Sequence, residues 1–251
     1  MTVARYRAVL AYDGTRYYGF QRQAGDTPTI QGAVESALAR VTGQQVTITG
    51  AGRTDTGVHA TGQVIAFDVA WRHTAYDLWR ALNANLPDDV ALQTLDVADP
   101  AFHPRFDARS RAYIYHLYVA PVRQPLLNGH AWHLALRQPP DLAAMQAAAS
   151  VLLGEHDFGA FGSPPQGENT VRRVFRSAIT GEGGDPPQVR YEVEANAFLY
   201  RMVRRLVNAL VQVGTGRLTL DDFEVAFRAA DAGWPNPPAP PQGLCLVKVS
   251  Y

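Results

Sequence analysis

The chain has 251 residues, 47% hydrophobic and 18% charged, with 23 basic and 23 acidic side chains and a formal net charge of +0. That is the composition of a globular protein with a sizeable core, and it excludes one drawn to nucleic acid or membrane by its overall field. A single cysteine, Cys245, excludes an internal disulfide and a cysteine-based zinc site. The apolar run before Tyr12 is cut off by Asp13, and no small-residue cleavage site follows it. No apolar stretch is long enough to span a bilayer, so the expected location is cytoplasmic. Lys248 is the only lysine, which leaves arginine as nearly the whole basic set. Codon usage explains that, and so does a need for bidentate phosphate contacts.

In chain order, Arg5 to Tyr12 reads as a strand. Thr29 opens a helix with Ile30, Val34, Leu38 and Val41 on one face and Gly43 just past its end. Val46 to Thr49 reads as a second strand and Gln63 to Val69 as a third. Thr74 caps a helix carrying Leu78, Leu82 and Leu86, and Val90 to Val97 is a fourth strand. The order is β-α-β-β-α-β, a ferredoxin-like pattern. The second half repeats it. Ala112 to Val119 is a strand, and Asp141 caps a helix with Leu142, Met145, Ala149 and Leu152. Val171 to Thr180 and Val189 to Glu194 are strands around the turn-rich Gly181 to Gln188. Phe198 to Val213 is a helix, Leu220 to Ala230 an inserted one, and Leu244 to Tyr251 the last strand. The expected fold is therefore α+β: two similar halves, 1–104 and 105–251, with mainly antiparallel sheets. Two similar halves side by side are expected to leave a cleft between them, a preferred place for a ligand. One continuous doubly wound sheet is the rival, but it does not place strands consecutively within each half.

The segment Gly50-Ala51-Gly52-Arg53-Thr54-Asp55-Thr56-Gly57-Val58-His59 joins the second and third strands. Three glycines relax the backbone, two threonines offer hydroxyls to the Asp55 carboxylate, and Arg53 within salt-bridge range would keep it ionised and nucleophilic. A tight hairpin whose aspartate bonds its own backbone is the plain alternative.

This string resembles the active-site loop of the tRNA pseudouridine synthase A family, in which the aspartate is the nucleophile. The resemblance runs along the chain. It includes Tyr12-Asp13-Gly14-Thr15 and Tyr18-Gly19-Phe20-Gln21, with Phe20 where tryptophan is common. It continues through Phe102-His103-Pro104-Arg105-Phe106, Arg111-Ala112-Tyr113, Gly154-Glu155-His156-Asp157-Phe158, Thr170-Val171-Arg172-Arg173 and Phe198-Leu199-Tyr200-Arg201-Met202-Val203-Arg204. Asn208 stands where the family has glycine.

The resemblance implies catalytic roles for Asp55, for Tyr113 as the active-site tyrosine stacking on a flipped base, and for Arg204 as the ion-pair partner of Asp55. Arg53, His59, Arg201 and Arg205 join Tyr113 as expected RNA contacts; His59 serves either RNA or the loop. It further implies uridines 38–40 in the anticodon stem-loop of tRNA as substrate, and a homodimer. Isomerisation of uridine gains and loses no group, so no cofactor, nucleotide or metal is expected. His130 and His133 have a spacing that suits a metal, but the sequence supplies no nearby third ligand. Attack by Asp55 falls either on the ribose or on the base ring. The rival functions are a non-catalytic RNA-binding or RNA-folding protein on the same scaffold, and a carboxylate hydrolase, which would want a second acid opposite Asp55.

Overall fold

Tyr6, Ala8, Leu10 and Tyr12 are buried and alternate with partly exposed neighbours, so Val3–Tyr12 is a strand, β1, with one face on a core. The structure is a computed structural model that describes residues 2–164 and 167–251. α1 (Ile30–Thr42) begins where the Thr29 side chain accepts from the Gly32 N–H and ends at Gly43, whose φ of 70° only glycine adopts without strain. β2 (Thr49–Gly50) and β3 (His59–Ala70) follow. α2 (Ala75–Asn83) starts in a capping box in which Thr74 and Asp77 satisfy each other's backbone N–H. β4 (Val90–Val97) has the expected bounds.

In the second part of the chain come β5 (Ser110–Val119), β6 (Trp132–Leu134), α3 (Leu142–Val151), β7 (Gly154–Asp157), β8 (Val171–Glu182), β9 (Gln188–Ala195), α4 (Met202–Gly214), α5 (Leu220–Ala229) and β10 (Leu244–Ser250). Asp141 caps α3 through the N–H groups of Ala143 and Ala144. Residues 183–187 are the β8–β9 hairpin connection.

The chain groups into two compact units. The first comprises residues up to Arg109 together with Cys245–Tyr251, the second Ser110–Leu244. In the first, β1 lies antiparallel between β4 and β3, β2 pairs antiparallel with β3, and β10 pairs with β3 in parallel. Tyr6 and Phe67 face each other across β1 and β3 with their rings stacked at 5.7 Å. Leu38, Leu78 and Leu82, from α1 and α2, are fully buried. In the second unit the antiparallel order is β5-β9-β8-β7, with β6 added in parallel to β5. Met145 of α3 and Leu206 and Leu210 of α4 are buried, and α3 packs on α4. Both units are mixed α+β with mainly antiparallel sheets.

Three local expectations change. The second strand is Thr49–Gly50, not Val46–Thr49. Just before it, side chains take the backbone groups of Ile48: Glu35 accepts from Ile48 N–H at 3.1 Å, and the Gln31 amide donates to Ile48 O at 3.3 Å. α4 begins at Met202 rather than Phe198, because Arg201 adopts a φ of 60° and breaks the helical path. β6 and β7 are too short, at three and four residues, for alternation to reveal them.

Candidate active site

The loop that carries Asp55 is fastened along its whole length. Ala51 N–H donates to Val64 O at 2.8 Å, and the Gln63 amide donates to Gly52 O at 2.9 Å. Thr54 is buried; its Oγ1 lies 2.8 Å from the Tyr12 hydroxyl and its carbonyl accepts from Phe20 N–H at 3.1 Å. Val58 N–H closes a turn onto Asp55 O at 3.1 Å, with Gly57 at a φ of 77° in the turn. Asp55 itself is half-buried at the head of this turn.

Residues 12–20 press on the loop backbone to backbone. A Cβ on Gly14 would lie 2.1 Å from Val58 O, and one on Gly19 2.8 Å from Thr54 O; Gly19 also has a φ of 93°. Side chains at these positions would push the loop away. Phe20, where the family commonly has tryptophan, lies over Gly50, whose missing Cβ would sit 2.6 Å from the ring. Tyr12, Gly14, Gly19 and Gln63 thus shape the site without having been singled out for it. Their only signal in the sequence was the matched motif around the first three.

His59 is buried. Its Nδ1 accepts from Gly14 N–H at 3.1 Å, so the ring holds the segment that braces the loop. Arg53 is exposed and makes no ion pair with Asp55 among the described residues. Arg16 and Arg22, beside the matched motifs, are tied to Asp89 at 2.6 Å and Glu35 at 3.0 Å.

The remaining expected site residues belong to the second unit. Tyr113 is half-buried on β5, with its ring edge-on to Phe198 at 5.1 Å. Tyr115, on the same face, is fully buried and donates to Pro240 O at 2.7 Å. Burial pushes its hydroxyl far above the usual tyrosine range, with the Arg204 charge opposing. Arg204 is half-buried and doubly tied to Ala239: its Nε donates to Ala239 O at 2.6 Å, and Ala239 N–H donates to Arg204 O at 2.9 Å. Arg201 is exposed, its guanidinium 4.7 Å from the Tyr200 ring centroid. Arg205 is half-buried, and its Nε finds no hydrogen-bond partner among the described residues. Asn208, in the place of a family glycine, donates to Asn236 Oδ1 at 2.9 Å, so its side chain is accommodated. His133 bonds Ala120 O at 2.8 Å and stacks on Tyr118.

A family model described as tRNA pseudouridine synthase matches residues 8–107 and 148–251, spanning the Asp55 loop and α4. The chain belongs to the tRNA pseudouridine synthase family. Among its curated relatives, a tRNA pseudouridine synthase A of Neisseria gonorrhoeae (strain ATCC 700825 / FA 1090) is 44% identical over 98% of this chain and 92% of its own length. Those of Solidesulfovibrio magneticus and Caulobacter vibrioides are 43% and 40% identical; each alignment covers at least 98% of this chain, with 92% and 98% of the relative. Pseudouridine synthases are isomerases, and this family member is one. Among the described residues no helix is long and apolar enough to cross a membrane.

Proposed function

We propose that this enzyme converts uridine to pseudouridine in the anticodon stem-loop of tRNA, at positions 38–40, with Asp55 as nucleophile. The observation that carries the reading is the fixed geometry of the Asp55 loop. Five hydrogen bonds and the close approach of Gly14 and Gly19 converge on residues 51–58, the arrangement expected when one carboxylate must be held at a reacting carbon. The relatives' names supply tRNA as the substrate class.

In this reading the chain carries two variants of one β-α-β-β-α-β plan, and the enzyme binds RNA. The target uridine flips out of the stack and Tyr113 covers the base. Asp55 attacks at the ribose or at the base ring, the N1–C1′ bond breaks, and the base turns and rejoins through C5. The C5 proton is released and N1 takes up a proton, so composition is unchanged and no cofactor or metal is needed. Arg204 pairs with Asp55 and keeps it charged. Arg53, Arg201 and Arg205 contact RNA, while His59 supports the loop. A homodimer working in the cytoplasm completes the proposal.

The test is incubation of unmodified tRNA with wild type and with Asp55→Asn, followed by direct detection of pseudouridine and its position. Product from the wild type alone supports the assignment. Equal product from both enzymes sinks Asp55 as nucleophile. Tight tRNA binding without product from the wild type would favour an RNA-binding or RNA-folding protein.

A further inference from the structure

The segment 102–109 holds an aromatic ring out to solvent on a fixed base. Phe106 is 75% exposed. Isolated apolar side chains are common on surfaces, but this one is built in. The His103 ring stacks against it at 4.2 Å between centroids. His103 is itself locked: its Nδ1 accepts from the N–H groups of Arg105 and Phe106, both at 3.2 Å. Its own N–H donates to Asp107 Oδ2 at 2.8 Å, and its carbonyl accepts from Asp107 N–H at 3.1 Å. Between them Pro104 is buried, and its carbonyl accepts from the Tyr251 hydroxyl at 2.8 Å. The Arg105 guanidinium lies 5.8 Å from the Phe106 centroid, and Arg109, three residues on, is exposed.

We propose that Phe106 is a stacking surface for an unpaired nucleobase of the RNA substrate. The inference rests on the reading of this protein as a tRNA-modifying enzyme. A pre-ordered ring loses little conformational freedom when a base settles on it, and any base offers a π-face to it. The neighbouring arginines favour a partner that carries phosphates over a neutral apolar one. A second copy of this chain is the competing occupant, and the test separates the two.

The full-length protein is titrated with an unmodified tRNA transcript at fixed salt, as wild type, Phe106→Ala, Phe106→Leu, Phe106→Trp and Asp55→Asn, with melting temperature and sedimentation recorded for each. The expected result is binding about 10-fold weaker for the Ala and Leu variants, recovered to about 2-fold of wild type by Trp, with melting unchanged. Wild-type affinity in Phe106→Ala overturns the proposal, as does a Leu variant that binds as tightly as Trp. A change in self-association with tRNA affinity intact assigns the ring to a second copy and also overturns it. Pseudouridine formation by wild type and Asp55→Asn reads the underlying function separately: product from the wild type alone leaves that function standing whatever Phe106 does. A wild type that binds no tRNA defeats both.

Discussion

The Tyr12 hydroxyl lies 2.8 Å from Thr54 Oγ1 in a buried hydrogen bond, one residue before the proposed nucleophile Asp55. Strand β1 thereby fixes the peptide that delivers the carboxylate. Removing either partner frees that peptide without altering the reacting groups. Tyr12→Phe and Thr54→Val are each expected to lower kcat about 10-fold with KM nearly unchanged, since small misplacements of a reacting group are costly. Because both act through one bond, the double variant should lose little more than either single one. Additive losses in steady-state kinetics would show that the bond is not the link.

Gly14 and Gly19 are expected to be far less tolerant of substitution than glycines that face open space. Gly19→Ala must adopt a positive φ and place its Cβ 2.8 Å from Thr54 O, so it should destabilise by about 2 kcal/mol and lower turnover as well. Gly14→Ala, against Val58 O, should be worse. Gly52→Ala meets nothing within 4 Å, and its melting temperature should stay near wild type. Thermal unfolding of the three variants checks the order.

Arg204 uses its Nε on Ala239 O, which fixes the plane of the guanidinium. Lysine keeps the charge but offers one mobile point charge where arginine offers a fixed fork. Arg204→Ala is expected to reduce kcat about 100-fold, the size of effect seen when one fixed donor is lost from an active site. Arg204→Lys should recover only part of that. Full activity in Arg204→Lys, measured under single-turnover conditions, would show that orientation is irrelevant there.

A pH dependence of stability follows from the Arg5–Asp68 pair at 2.6 Å. Hydrogen bonding to Arg5 holds the Asp68 carboxyl below the ordinary aspartate range. A depressed folded-state pKa contributes stability that is full above the unfolded value, near pH 4, and is lost as pH falls through the folded value. Both side chains are partly exposed, so the contribution is below about 1 kcal/mol. Wild type should melt slightly above Asp68→Asn at pH 6, and the gap should close at lower pH. A gap unchanged down to pH 3 would contradict the assignment.

The amino-acid pattern alone determined most of the elements. Thr29 and Gly43 bound α1, Thr74 and Asp77 start α2, and Asp141 starts α3, because caps are interactions within a few residues and are written in the local sequence. The loop bearing Asp55 was legible for a different reason: its glycines, threonines and charged groups form a long specific string. Tertiary structure alone decided what surrounds it. Arg53, two residues from Asp55, turned out to be exposed and unpaired with it, and His59 proved to be buried against Gly14. The brace on Thr54 comes from Tyr12, 42 residues away. It was likewise only in three dimensions that Glu35 and Gln31 took the backbone groups of Ile48, expected to lie in β2, and that β10 returned to pair with β3. Periodicity reports which face of an element meets a core. It carries no record of which distant side chain or bare glycine backbone will meet that face, and those long-range meetings hold Asp55 in place.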